Sequence, residues 1–234
     1  MKDTVIPQGK WKFDDEVANC FDNMLERSIP DYFNMRELVY NVGKHYVVPH
    51  TTIMDIGCSN GSASLPFVKT FAYENDFILT DVSDSFIDIC KRGFKNYPNV
   101  CVKKHDLRNG IPEPHNNTSL ILSVLTIQFT PIEYRQRIID SIYNALIPGG
   151  CFIFVEKLIG NTYSIDSVFV DEYYAIKKEN QYTNEQIQNK RKSLEGVLVP
   201  VTANWNVELL KSSGFKTVDC FWRYLNFAGF IAIK

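Results

Sequence analysis

The feature that most constrains this chain is an alternation that starts near residue 50. TTIMDIG (51–57) is a short β-branched run ending in a Gly turn, and LPFVKTFAYEN follows it with helical character. FILTDVS (77–83), NVCVKKHD (99–106) and CFIFVEK (151–157) read as further strands, and SLILSVLTIQF (119–129) as a long apolar strand running into a loop. DSFIDICKRGFKNY and IEYRQRIIDSIYNAL (132–146) between them read as amphipathic helices, the latter stopping at Pro148-Gly149-Gly150. TVDCFWRYL and AGFIAIK close the chain as two strands around an Asn226-Phe227 turn. Near-continuous apolar strands alternating with helices need a parallel sheet covered on both faces. A hairpin-length last connection makes one strand antiparallel. The expected fold is therefore α/β and doubly wound: a mostly parallel, seven-stranded sheet with an antiparallel C-terminal hairpin.

Helical patterns lie outside that alternation. DDEVANCFDNMLERS and the stretch from Tyr32 to Tyr46 precede it. IDSVFVDEYYAIKKEN, with Ile165, Val168, Phe169, Tyr173 and Ile176 on one stripe, and NEQIQNKRKSLEG interrupt it. With no repeat, low-complexity tract or linker, residues 1–234 read as one domain. Residues 13–48 form an N-terminal helical lid and residues 161–200 an inserted helical lid. The 16 Phe, 12 Tyr and 3 Trp suffice to fill a core and still line a pocket. A net charge of -2 gives no basic field to hold a nucleic-acid backbone, so stable nucleic-acid binding is not expected. Six cysteines without a CxxC pair, no zinc spacing and no secretory leader point to a reducing, cytoplasmic setting and no metal. No apolar run is long enough to span a membrane.

Asp55-Ile56-Gly57-Cys58-Ser59-Asn60-Gly61 stands where the first strand turns into a helix. Glycines let a ligand approach the backbone, and the helix start offers free N–H groups. A dinucleotide loop needs GxGxxG, but Ser59 replaces the second Gly. DIGCSNG instead resembles motif I of class I S-adenosylmethionine-dependent enzymes; the bland alternative is a tight structural turn. Asp81, followed by Val82, ends the second strand, where an acid can accept both ribose hydroxyls of a nucleoside. Asp106, followed by Leu107, ends the third, where enzymes of that class place an acid beside the adenine amine. Three such positions at three successive strand ends say more than any one.

Methyl transfer is the default chemistry for this cofactor. Ser123-Val124-Leu125-Thr126 lacks the motif of amino-directed DNA methyltransferases, and no Pro-Cys nucleophile exists for a cytosine-C5 enzyme. His105 and His115 are isolated and read as surface or turn residues. Outside the loop, Phe13-Asp14-Asp15-Glu16-Val17-Ala18, the segment Met24 to Tyr32 containing ERSIPDY, Gln128-Phe129, Pro148-Gly149-Gly150, Glu156-Lys157, KRKSLEG from Lys190 and Asn226-Phe227 together resemble the carboxy-S-adenosyl-L-methionine synthases. The likeness runs from about Phe13 to Lys234.

That resemblance implies a Rossmann-like class I methyltransferase fold and a homodimer. It also implies a reaction other than methyl transfer. Family members take a carboxyl group from prephenate, giving phenylpyruvate, and add it to S-adenosylmethionine through a sulfonium ylide. The product supplies the carboxymethyl group for wobble-uridine modification in tRNA. The bound species is S-adenosylmethionine, its carboxylated form or S-adenosylhomocysteine. Carried over by residue, the cofactor site comprises Tyr32, Asp55, Gly57, Cys58, Ser59, Gly61, Asp81, Val82, Asp106, Leu107, Val124 and Arg191. Arg191 would hold the new carboxylate through a bidentate guanidinium contact; by itself, KRK reads as a solvated helix face. At Val124 the family carries Asn, so a polar contact to the cofactor is lost. This departure keeps open a methyltransferase acting on a small molecule or tRNA; a further alternative is a non-catalytic cofactor-binding subunit, against which the intact DIGCSNG loop and Asp81 argue.

Overall fold

The computed structural model describes residues 2–7, 9–112 and 116–234. His115 lies outside the described residues. Two helices, α1 (Asp15–Ser28) and α2 (Tyr32–Gly43), lead into β1 (Thr52–Ile56), α3 (Leu65–Phe71), β2 (Asp76–Asp81), α4 (Asp84–Gly93), β3 (Val100–Lys104), β4 (Thr118–Val124), α5 (Ile132–Ala145) and β5 (Leu146–Lys157). Then come α6 (Tyr163–Glu179), α7 (Asn184–Leu194), α8 (Ala203–Ser212), β6 (Thr217–Tyr224) and β7 (Phe227–Ile233). The seven strands order as β3-β2-β1-β4-β5-β7-β6. β7 pairs antiparallel with both β5 and β6, and the other neighbours are parallel. The expected architecture is the observed one.

Alternation along buried strands explains why both sheet faces are apolar. Met54, Ile121, Phe152 and Phe154 pack on one face with Ile138, Ile139 and Ile142 of α5 and Leu209 and Leu210 of α8. Ile53, Leu120, Leu122, Ile153 and Val155 pack on the other, with Met35 and Val39 of α2 and Phe67 of α3. A smaller cluster of Trp11, Val17, Phe21, Met24 and Phe86 holds the N-terminal segment against α4. The sheet reverses direction between β1 and β4, and such a reversal opens a crevice at the C-terminal strand ends.

Four details differ from expectation. The strand within SLILSVLTIQF ends early: β4 stops at Val124, Leu125 takes φ 60°, and Ile127–Phe129 forms a 3-10 turn. Pro148-Gly149-Gly150 does not separate a helix from a strand, because β5 begins at Leu146. α8 (ANWNVELLKS) went unread, although Thr202 caps it by accepting from the Trp205 N–H. The α6 stripe is only partly buried: Tyr173 is enclosed, while Ile165 is 45% and Val168 57% exposed.

The segment carrying α6 and α7 leaves and re-enters the sheet at one place. Leu158 and Val201 form a parallel bridge, the Ile159 N–H donates to the Val201 carbonyl at 3.1 Å, and the Leu158 N–H donates to the Asn226 carbonyl at 2.7 Å.

Candidate functional site

The loop after β1 is fastened to β2: the Gly57 and Cys58 N–H groups both donate to the Thr80 carbonyl, at 2.7 and 2.8 Å. Gly57 has φ 80°, and a Cβ there would lie 2.2 Å from Cγ2 of Thr126. Gly61 has the same φ, and its Cβ would meet the Phe94 ring at 2.4 Å. Ser59 adopts φ 48°, and its N–H donates to Oδ2 of Asp81 at 3.0 Å. Oδ1 of Asp81 accepts from the Ser83 N–H at 2.9 Å. One carboxylate thus holds both loops that border the crevice. Burial pushes the Asp81 carboxyl up, while the N–H groups of Ser83 and Ser59 draw it back down.

Asp55 lies buried beneath this loop, accepting from the Ser64 hydroxyl at 2.5 Å. Burial raises its carboxyl to about 6, against the opposing effects of the Ser64 bond and nearby Arg36. It supports the loop and does not face the cavity. Asp106 caps the 3-10 turn Leu107–Asn109 and is paired with Arg108, at 2.9 Å to Nε. Hydrogen bonding from Arg108 holds its carboxyl below the usual range. His105 serves the same turn, its Nε2 lying 2.9 Å from the Gly110 carbonyl.

A cavity of about 480 Å³ opens above these strand ends, within the size range of small-ligand pockets. Tyr32, Gly57, Cys58, Ser59, Asp81, Val82, Asp106, Leu107 and Val124 all line it. Asp55 and Gly61 stand behind it. Aromatic rings from both lid segments close it: Trp11, Phe13 and Phe21 from the N-terminal side, Tyr173 from α6, and Phe86, Phe129 and Phe227 from the body. Backbone free of side-chain cover at Gly57, an acid at the end of β2 and apolar walls at Val82, Leu107 and Val124 suit a nucleoside with vicinal hydroxyls. The residues fit an S-adenosyl group.

Arg191 is not brought to this cavity. It is exposed near Tyr174, whose phenol burial pushes up and Arg191 draws back down. Its neighbour Lys190 lines the cavity instead, sharing an inward helix face with Ile187 and Leu194. Each residue turns the helix by about 100°, which carries Arg191 off that face. Lys157 and Lys177 also line the cavity; the sequence offers Lys157 and Lys190 only as members of family-like segments and gives none of the three lysines a role in the site. Lys157 carries a usable signal, because it ends β5 directly after the buried run from Cys151 to Glu156.

Gln128, quoted in the sequence only as part of a pair, proves to be a clamp. Its Oε1 accepts from the Lys157 N–H at 2.8 Å and its Nε2 donates to the Leu125 carbonyl at 3.2 Å. Its own carbonyl accepts from the Val199 N–H and from Nη2 of buried Arg135, at 2.9 and 3.2 Å. Beneath it, burial lifts the Glu156 carboxyl to about 8, despite the opposing charge of Arg135 and the N–H groups of Thr126 to Gln128.

Residues 53–150 match the family described as methyltransferase domain. A carboxy-S-adenosyl-L-methionine synthase of Methylococcus capsulatus is 35% identical over 228 residues, covering 95% of this chain and 93% of the relative. This chain belongs to the carboxy-S-adenosyl-L-methionine synthase family. An Escherichia coli synthase of that name is 30% identical over 230 residues, covering 97% of this chain and 92% of its own. Phosphoethanolamine N-methyltransferase 2 of Haemonchus contortus, solved with S-adenosyl-L-methionine, superposes with a TM-score of 0.64 at 12% identity, over 97% of this chain and 61% of its own. That likeness shows the shared fold. The synthase is thus a transferase on an S-adenosylmethionine-dependent scaffold. Among the described residues, no helix is long and apolar enough to cross a membrane.

Proposed function

We propose that this synthase forms carboxy-S-adenosyl-L-methionine from S-adenosylmethionine and prephenate, releasing phenylpyruvate. The observation that carries the reading is a single cavity in which a nucleoside cradle opens into an aromatic, lysine-bearing compartment. Bound S-adenosylmethionine supplies a methyl group acidified by its sulfonium charge, which takes up the carbon dioxide that prephenate loses; the hydroxide prephenate also loses accepts the methyl proton. The chain positions and encloses. Gly57 to Ser59 and Asp81 hold the nucleoside, Asp106 and Leu107 border its base, Val124 flanks it, and Tyr32 covers it from α2. The aromatic walls keep water from the reacting carbon and keep carbon dioxide in. The segments 13–48 and 161–200 act as the lids of one domain spanning residues 1–234.

The product would serve as carboxymethyl donor for a tRNA wobble uridine, in the cytoplasm. A homodimer is supported by the exposed apolar end of α6, where Tyr163 is 90% exposed beside Ile165 and Val168. A light-scattering mass near that of one chain would count against it. Arg191 enters this reading only if α7 turns or a second copy approaches. If it does, Arg191→Ala weakens binding of the carboxylated product much more than binding of S-adenosylhomocysteine, and equal losses remove it from the site.

The deciding experiment is incubation with S-adenosylmethionine and prephenate, followed by mass spectrometry. The expected products are phenylpyruvate and a cofactor about 44 Da heavier, the mass of one carbon dioxide. Absence of both refutes the reading. S-adenosylhomocysteine formed instead with an added acceptor would favour methyl transfer, the alternative that Val124 supports.

A further inference from the structure

Three lysines from three elements converge in the lining of the cavity. Lys157 ends β5, Lys177 lies on α6 and Lys190 on α7. Lys157 Nζ sits 4.7 Å and Lys177 Nζ 5.2 Å from the centre of the Tyr173 ring. Lys177 is only 5% exposed. Lys190 has a carboxylate partner, Asp3, at 3.4 Å, and Tyr182 donates to the same carboxylate. Among the described residues, neither the Lys157 nor the Lys177 Nζ donates a hydrogen bond or forms an ion pair. Around Lys177 the charged neighbours are mostly cationic, Lys190 and Arg27 with Lys157 against Asp3, while Asp166 stands near Lys157. Burying ammonium groups that have no direct partner is costly, and a cavity that keeps two of them suits a ligand that completes them.

We propose that Lys157 and Lys177 form the binding site for the carboxylates of a small organic di-acid, the carboxyl donor of the reaction. This rests on the reading that the cavity carboxylates S-adenosylmethionine. Two ammonium groups match two carboxylates, and the Tyr173 ring beside both offers an apolar surface to the carbon skeleton. Lys190, already neutralised by Asp3, borders the site and keeps the N-terminal segment closed over it. Protonation fits the same picture. Burial lowers Lys157 to about 8 and Lys177 to about 7, the latter helped by Lys190 and Lys157. A dianion entering near pH 8 therefore draws protons in with it, because it favours the charged form of both lysines.

The test uses Lys157→Met and Lys177→Met, which keep volume and remove charge, in the full chain. Calorimetry measures binding of S-adenosylhomocysteine, of prephenate, and of cyclohexane-1,4-dicarboxylate as an unreactive cyclic di-acid. Expected are affinity for S-adenosylhomocysteine within twofold of the unmodified protein and at least a tenfold loss for both di-acids. The KM for prephenate should rise by a similar factor. In buffers of different ionisation heat, di-acid binding at pH 8 should show net proton uptake by the unmodified protein and less by either variant. Unchanged di-acid affinity in both variants, or no di-acid binding to the unmodified protein, overturns the proposal. If the unmodified protein makes no heavier cofactor yet binds the di-acids through these lysines, the carboxylation reading fails while the di-acid site stands.

Discussion

Gly57→Ala probes the geometry on which the cofactor cradle depends. Two separate costs follow from the structure. At φ 80° the added Cβ sits in the left-handed region, which disfavours a residue with a side chain by about 1–2 kcal/mol. The same Cβ meets Thr126, with Cγ2 at 2.2 Å and Oγ1 at 2.3 Å, and forced overpacking costs about 1–3 kcal/mol. Together they predict a loss of about 2–5 kcal/mol, short of the whole stability of a typical domain. Thr126→Gly removes the obstructing atoms but not the backbone penalty. In the double variant about 1–3 kcal/mol should therefore return relative to additivity. Urea denaturation followed by circular dichroism gives the stabilities, and calorimetric titration with S-adenosylhomocysteine gives the affinity. The single variant should lose affinity as well, because Thr126 cannot stay in place under the cradle. A Gly57→Ala protein within about 0.5 kcal/mol of the unmodified one, or strict additivity in the pair, would refute the reasoning.

Three further outcomes are expected. Glu156→Gln should flatten the stability–pH curve: the carboxyl is raised in the folded state from 4.5 to about 8, so its cost sets in above the unfolded value and is complete only above the folded one. The difference between the two proteins should grow in favour of Gln by at most about 3 kcal/mol from pH 4.5 to 7, and parallel denaturation curves across that window would contradict it. Asp81→Asn replaces one of the two oxygens that accept from Ser59 and Ser83 by a donor; a lost charge-assisted bond of about 1.5–3 kcal/mol predicts roughly 10–100-fold weaker S-adenosylhomocysteine binding, read by calorimetry. Gln128→Leu leaves the Lys157 amide and the Leu125 carbonyl without their partner; a loss of about 1–3 kcal/mol per group is expected in denaturation, with faster amide exchange at Lys157.

The sheet was legible because continuous burial leaves its mark residue by residue. Ile53, Met54, Leu120, Ile121 and Leu122 are apolar whichever face they meet, so a mostly parallel sheet and its helical cover follow from pattern, whereas the strand order does not. The cofactor cradle was legible for a related reason, since its chemistry lies in adjacent residues from Asp55 to Gly61. The other half of the cavity was not. Lys177 has the same charge as the exposed Lys178 beside it, and only its packing against Tyr173 and Tyr182 decides which is enclosed. Arg191 and Lys190 differ by one residue on a helix whose rotation no local pattern sets. α8 escaped because Asn206 is polar yet buried, which breaks the apolar stripe that marks a helix. Tertiary packing settles all three.

The bridge between Leu158 and Val201 gives the inserted helices a common stem. A segment whose entry and exit are neighbours can be lengthened, shortened or exchanged at little cost to the body that carries it. Of the groups that meet the two proposed ligands, the nucleoside contacts belong mainly to the body, with Lys157, whereas Tyr173 and Lys177 belong to the stemmed segment. The chain is thus divided like an instrument with a fixed handle and an interchangeable head. Selection can redirect what the head accepts without renegotiating how the handle is held.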